Sequence, residues 1–222
     1  MRNFRLQILV FFLLAICSPT AKAQHSDYAD EISAYKHQDS VHFPTNHPIL
    51  FVGSSSFNFW KDMQNYFPGY PILNRGFGGS TLLHVIHYAD EIIFPYKPRQ
   101  IVIYCGENDI AYVDSVTGQT VLNRFKILFD MIRKEMPNVN IVYISIKPSP
   151  SRANLAGRME EANRLIKEFI SQQQNAAYVD VYHLMLNKNS KPFPDIFRED
   201  SLHMNAKGYA IWQKAIQPYL LK

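Results

Sequence analysis

Short, nearly unbroken apolar runs alternate along this chain with stretches in which apolar residues return every three or four positions. The runs Pro48–Val52, Tyr70–Leu73, Gln100–Cys105, Asn140–Ile146 and Ala177–Val181 are each bounded by Gly, Pro, Asn or Asp. Ile101 to Cys105 and Ile141 to Ile144 are apolar on both faces, as strands covered on both sides must be. Between them Val121, Leu122, Phe125, Leu128, Phe129 and Ile132 keep helical spacing until Pro137 stops the run. Further helices are predicted over about Leu155–Gln173 and Asn205–Leu220. Strand, helix, strand in repetition predicts an α/β fold, a parallel sheet with helices on both faces. No internal repeat, linker or low-complexity tract interrupts it.

The two ends of the chain read differently. Arg2 and Arg5 precede the apolar run Ile8 to Ile16, and Ala21-Lys22-Ala23 offers the small residues of a cleavage site. Residues 1–23 are therefore expected to be a signal peptide, so that the mature protein is exported to a periplasm or the extracellular space. The run is short for a bilayer span, and no later stretch is apolar enough for stable membrane insertion. Residues 24–47 are polar and are expected to form a loosely packed N-terminal arm, with a short helix around Tyr28 to Tyr35. One domain is expected over residues 48–222.

Loss of the leader changes the charge. The whole chain carries 23 Lys and Arg against 19 Asp and Glu; without Arg2, Arg5 and Lys22 the balance is 20 to 19. A nearly neutral protein lacks the clustered cations that nucleic acid or an anionic membrane requires, so no nucleic-acid partner is expected. Cys17 leaves with the leader and Cys105 has no intramolecular partner, so stability must come from the core.

In a sheet of this kind ligands bind beyond the carboxyl ends of the strands. Four polar segments fall on that rim: Gly53-Ser54-Ser55-Ser56, Asn74 to Ser80, Gly106-Glu107-Asn108-Asp109, and Asp200-Ser201-Leu202-His203 before the last helix. Singly, each also reads as a turn, a helix cap or half of a metal site. Together they offer a serine, an imidazole to take its proton and a carboxylate to orient the imidazole. Ser55 is placed to open a helix, with its own amide free for an anion; Gly79 lets backbone approach closely, and Asn108 brings a side-chain amide.

The chain resembles the SGNH hydrolases, also called GDSL-type esterases and lipases, over nearly all of its mature length. The resemblance implies a three-layer α/β/α sandwich with a flavodoxin-like parallel sheet and chemistry without metal or other cofactor. It implies Ser55 as nucleophile, Asp200 and His203 as its partners, and an oxyanion hole from the Ser55 and Gly79 amides and Asn108. Two departures stand out: Ser54 where the eponymous motif has Asp, and Glu107 inside the third motif. The serine is not in a complete Gly-x-Ser-x-Gly elbow, because Phe57 takes the last place, which speaks against an α/β-hydrolase.

Other residues have plainer readings. His84 and His87 sit three apart on a helix but lack an evident third metal ligand. Cys105 ends a buried strand and reads as core. Phe57, Phe59 and Trp60 read as packing; Arg75 and Glu107 fall on the rim, where pairing with each other and contact with substrate both stay open, and neither is counted in the site. His183 has no evident partner. The expected function is an exported serine esterase that removes a short acyl group, such as acetyl, from a small-molecule or carbohydrate ester. A lysophospholipase-like or platelet-activating-factor-acetylhydrolase-like lipid esterase is the alternative. A non-catalytic ligand-binding protein is the third reading.

Overall fold

The computed structural model describes residues 28–44 and 47–222. The expected signal peptide lies outside the described residues. In chain order the elements are α1 (Ala29–Val41), β1 (Ile49–Gly53), α2 (Ser55–Asn58), α3 (Met63–Tyr66), β2 (Ile72–Gly76), α4 (Leu82–His87) and α5 (Ala89–Ile92). Then come β3 (Gln100–Tyr104), α6 (Glu107–Tyr112), α7 (Gly118–Glu135), β4 (Asn140–Ile144), α8 (Ala156–Ser171), β5 (Ala176–Val179) and α9 (Ala206–Ile216). The strands form one parallel sheet in the order β2-β1-β3-β4-β5.

Alternation along the strands builds the two cores. Leu50, Val52, Ile101, Ile103, Ile141 and Tyr143 face one way, against α4, α5, α7 and α8 through Val85, Ile92, Phe125, Leu128 and Ile166. Ile49, Phe51, Val102, Tyr104, Val142 and Ile144 face the other, against Phe57, Trp60, Tyr209 and Trp212 of the α2 and α9 side. This is the three-layer α/β/α sandwich expected from the strand and helix pattern.

Two expectations need correction. The second strand runs three residues past Leu73, so Asn74 and Arg75 are inside β2 rather than beyond it. Their polarity is absorbed locally: Asn74 Nδ2 donates to Phe57 O at 2.7 Å, and the Gly76 amide donates to Asn74 Oδ1 at 2.9 Å. Over its described residues 28–44 the polar arm is also not loose. It forms the 13-residue helix α1, whose Tyr28 hydroxyl, at its start, donates to Gly79 O at 3.0 Å.

The carboxyl ends of β1 and β3 meet at Gly53. Its φ is +144°, and a Cβ there would lie 1.9 Å from Tyr104 O. Only glycine can turn the chain from β1 into α2 so close to β3.

Candidate active site

Ser54 is the single residue between β1 and α2, and its amide donates to Tyr104 O at 3.0 Å. Ser55 is thus the first residue of α2, where an amide has no acceptor one turn back. Among the described residues the Ser55 amide donates no hydrogen bond.

The tail of the chain returns to this point. His203 Nε2 lies 3.0 Å from Ser55 Oγ, although the two residues are 148 positions apart. Its Nδ1 lies 2.6 Å from Asp200 Oδ2. A carboxylate only accepts, so Nδ1 carries the proton and Nε2 is left to accept from the serine. Asp200 Oδ1 accepts the amides of Leu202 and His203, both at 2.9 Å, which closes the turn that holds the two side chains together. Burial opposes ionisation of Asp200, but the bonds from the His203 ring and from these amides outweigh it and lower its carboxyl to about 2. Phe59 meets the His203 ring edge-on at 4.6 Å, and the Arg198 guanidinium lies 5.0 Å from the Phe59 ring centre.

The loop after β2 supplies the second side of the site. Gly79 has φ +74°, a left-handed conformation that favours glycine. Among the described residues its amide, like that of Ser55, donates no hydrogen bond. The Ser80 hydroxyl fastens the loop to Gly53 O at 3.1 Å.

The third side is the first turn of α6. Asn108 is buried, and its Nδ2 donates to Ser54 Oγ at 2.7 Å and to Ser80 O at 3.0 Å. Both hydrogens of the amide are therefore engaged, and the group ties the first motif to the second. An oxyanion bound to Asn108 would have to displace or share one of those two acceptors. Asp109 makes the next tie, accepting the Leu82 amide at 2.9 Å and an Arg124 nitrogen at 2.7 Å.

Arg75 and Glu107 do not pair with each other. Glu107 is buried and meets Lys147 at 2.9 Å, Arg152 at 3.0 Å and the Tyr104 hydroxyl at 2.5 Å. Burial would raise its carboxyl pKa, but the two cations lower it below the usual carboxylate range. Arg75 instead pairs with Asp39 of α1. Neither pairing was legible in the sequence, because the partners, Lys147, Arg152 and Asp39, are remote in it.

His183 also has a partner. Its Nδ1 lies 2.7 Å from Asp180 Oδ2, and its amide donates to Asp180 Oδ1 at 3.1 Å. Asp180-x-x-His183 repeats the spacing of Asp200-x-x-His203, a signal that was present in the sequence. The two differ in setting: the His183 side chain is 75% exposed and that of His203 is 18% exposed. His84 turns back on its own helix, where Nδ1 accepts the Thr81 amide at 3.1 Å. Cys105 is buried, and burial pushes its thiol well above the ordinary value. Among the described residues no three His, Cys, Asp or Glu side chains gather as metal ligands, and no helix is long and apolar enough to cross a membrane.

Residues 45–211 match the model of the GDSL-like lipase/acylhydrolase family. Similar solved structures include a protein from Streptococcus pneumoniae named after platelet activating factor, with 21% identity, a TM-score of 0.75, and coverage of 86% of this chain and 92% of that one. A GDSL-like lipase from Bacteroides thetaiotaomicron has 16% identity and a TM-score of 0.71, covering 85% and 96%. A variant of an acetyl xylan esterase from Geobacillus stearothermophilus has 16% identity and a TM-score of 0.62, covering 81% and 98%. At these identities the likeness is one of fold. No curated protein matches the sequence.

Proposed function

Because the chain belongs to the GDSL-like lipase/acylhydrolase family, we propose that it is an exported serine esterase that removes short acyl groups, such as acetyl, from carbohydrates or other small esters. The observation that carries this reading is the unbroken series Ser55 Oγ, His203 Nε2, His203 Nδ1, Asp200 Oδ2, with steps of 3.0 and 2.6 Å.

In the proposed cycle Ser55 Oγ attacks the ester carbonyl while His203 Nε2 takes its proton. The carbonyl oxygen becomes an oxyanion, and the free amides of Ser55 and Gly79 stabilise it. Donors of this kind are each worth about a hundredfold to a thousandfold in turnover. His203, steadied by the Asp200 carboxylate, passes the proton to the leaving alkoxide, which departs as the alcohol. Water then adds to the acyl-enzyme with His203 as base, releasing the carboxylic acid and restoring Ser55.

The connections beside the nucleophile support a short acyl group: that from β1 to α2 is one residue and that from β3 to α6 is two, so neither carries a lid, and the long connection over residues 180–205 between β5 and α9 is committed to placing Asp200 and His203. Export rests on the Arg2 and Arg5 leader with its Ala21-Lys22-Ala23 site. The test is hydrolysis of p-nitrophenyl esters of increasing chain length by purified protein. We expect kcat/KM to be highest for acetate or butyrate and to fall beyond about eight carbons, because each buried CH₂ helps only where a pocket receives it. A preference for the longer chains would favour the lipid-esterase alternative and overturn this choice.

A further inference from the structure

The family match begins at residue 45, so helix α1 lies outside it. That helix contributes little to the core. Only Ile32 within it is buried, yet Tyr28, Glu31, Tyr35 and Asp39, spaced to share one face, all bond to the domain. Its far end is anchored where the Tyr96 hydroxyl donates to Asp39 Oδ2 at 2.5 Å, and where the Arg75 guanidinium lies over the Tyr35 ring at 4.8 Å and over the Tyr96 ring at 5.0 Å.

The near end converges on the loop that presents the Gly79 amide. Glu31 Oε2 accepts the Gly78 amide at 3.0 Å, and the Tyr28 hydroxyl donates to Gly79 O at 3.0 Å. These bonds pin the peptide units on both sides of the Gly78–Gly79 peptide, which carries the Gly79 N–H. Two adjacent glycines leave that peptide little steric resistance to rotation, so its direction depends on such external ties. The other carboxylate oxygen, Glu31 Oε1, accepts Asn58 Nδ2 at 2.9 Å, and Asn58 is the last residue of the short helix that begins with Ser55. Asn58 Nδ2 also donates to Gly76 O at 3.1 Å. One carboxylate thus joins the two segments that carry the two free amides.

We propose that α1 braces the oxyanion-binding amides, with Glu31 and Tyr28 as positioning residues of the esterase. This rests on the reading of the site given above and goes beyond it, since neither residue touches the reacting atoms. A brace acts on the transition state rather than on substrate binding, because an amide misaligned by a fraction of an ångström weakens most where negative charge develops.

The experiment compares wild type, Glu31→Ala, Glu31→Gln and Tyr28→Phe in the full-length protein. Active sites are titrated to completion with a fluorophosphonate, kcat per titrated site and KM are measured with p-nitrophenyl acetate, and the melting temperature is followed in parallel. Glu31→Ala is expected to lower kcat per site by about tenfold or more while KM stays within about twofold, the signature of a loss confined to the transition state. Glu31→Gln keeps a carbonyl to accept the Gly78 amide and is expected to recover part of the loss; Tyr28→Phe is expected to shift kcat in the same direction as Glu31→Ala. Unchanged kcat per titrated site in Glu31→Ala, whether or not fewer sites titrate or the melting temperature falls, would overturn the brace. An active wild type with unaffected variants removes the brace alone. A wild type that neither hydrolyses nor labels removes the esterase reading and the brace with it.

Discussion

Asp200 gives the most specific residue-scale consequence. Its carboxyl lies near 2 in the folded chain, below the value of about 4 expected when unfolded. A depressed folded value favours the folded state above the unfolded pKa, and that contribution is lost as the pH falls toward the folded one. The stability gap between wild type and Asp200→Asn is therefore expected to shrink as acid is added below about pH 4. Chemical denaturation below about pH 4 measures it, and a gap that widens as acid is added there would refute the assignment. Ser55, His203 and Asp200 were legible as candidates because their types and order are informative. The engagement of Asn108 with Ser54 was not, since a buried amide's acceptors depend on two loops meeting. The ion pairs of Glu107 and Arg75 were not legible for the same reason.

At the scale of elements, the two central strands and the long helices were legible because their side-chain periods are clear. Strand β2 was cut short because Asn74 and Arg75 look like loop residues, although one bonds the adjacent backbone and the other is held by α1. Helix α1 was underestimated for a related reason: it docks through hydroxyls and carboxylates, which hydropathy counts as solvent-facing. The turn from β1 into α2 can be tested directly. At Gly53 an added methyl would meet Tyr104 O, whereas at Gly69, with φ +83°, nothing lies within 4 Å. Gly53→Ala is expected to cost well over about 2 kcal/mol from clash and strain, and Gly69→Ala only about 1 kcal/mol from the backbone. Urea unfolding of the two variants compares them, and equal costs would contradict the close approach of β1 and β3.

At the scale of the whole molecule, the parallel sheet explains how a serine near the front of the chain meets a histidine near its tail. β1 is interior to the sheet, between β2 and β3. The segments after these three strands therefore share one rim, and α9 packs across the same face as α2, so the turn before it arrives at Ser55. The fold class was legible from alternation alone, and the candidate site from the coincidence of four rim segments. What escaped was whatever joined remote charges, because pairing across the fold leaves no local pattern. The central claim is that His203 activates Ser55. Its most direct measurement is mass-spectrometric mapping of a fluorophosphonate label on wild type, Ser55→Ala and His203→Ala. The account requires one label on Ser55 in wild type, none in Ser55→Ala, and labelling slowed at least about a hundredfold in His203→Ala. Label on another residue, or an undiminished rate without the histidine, would contradict it.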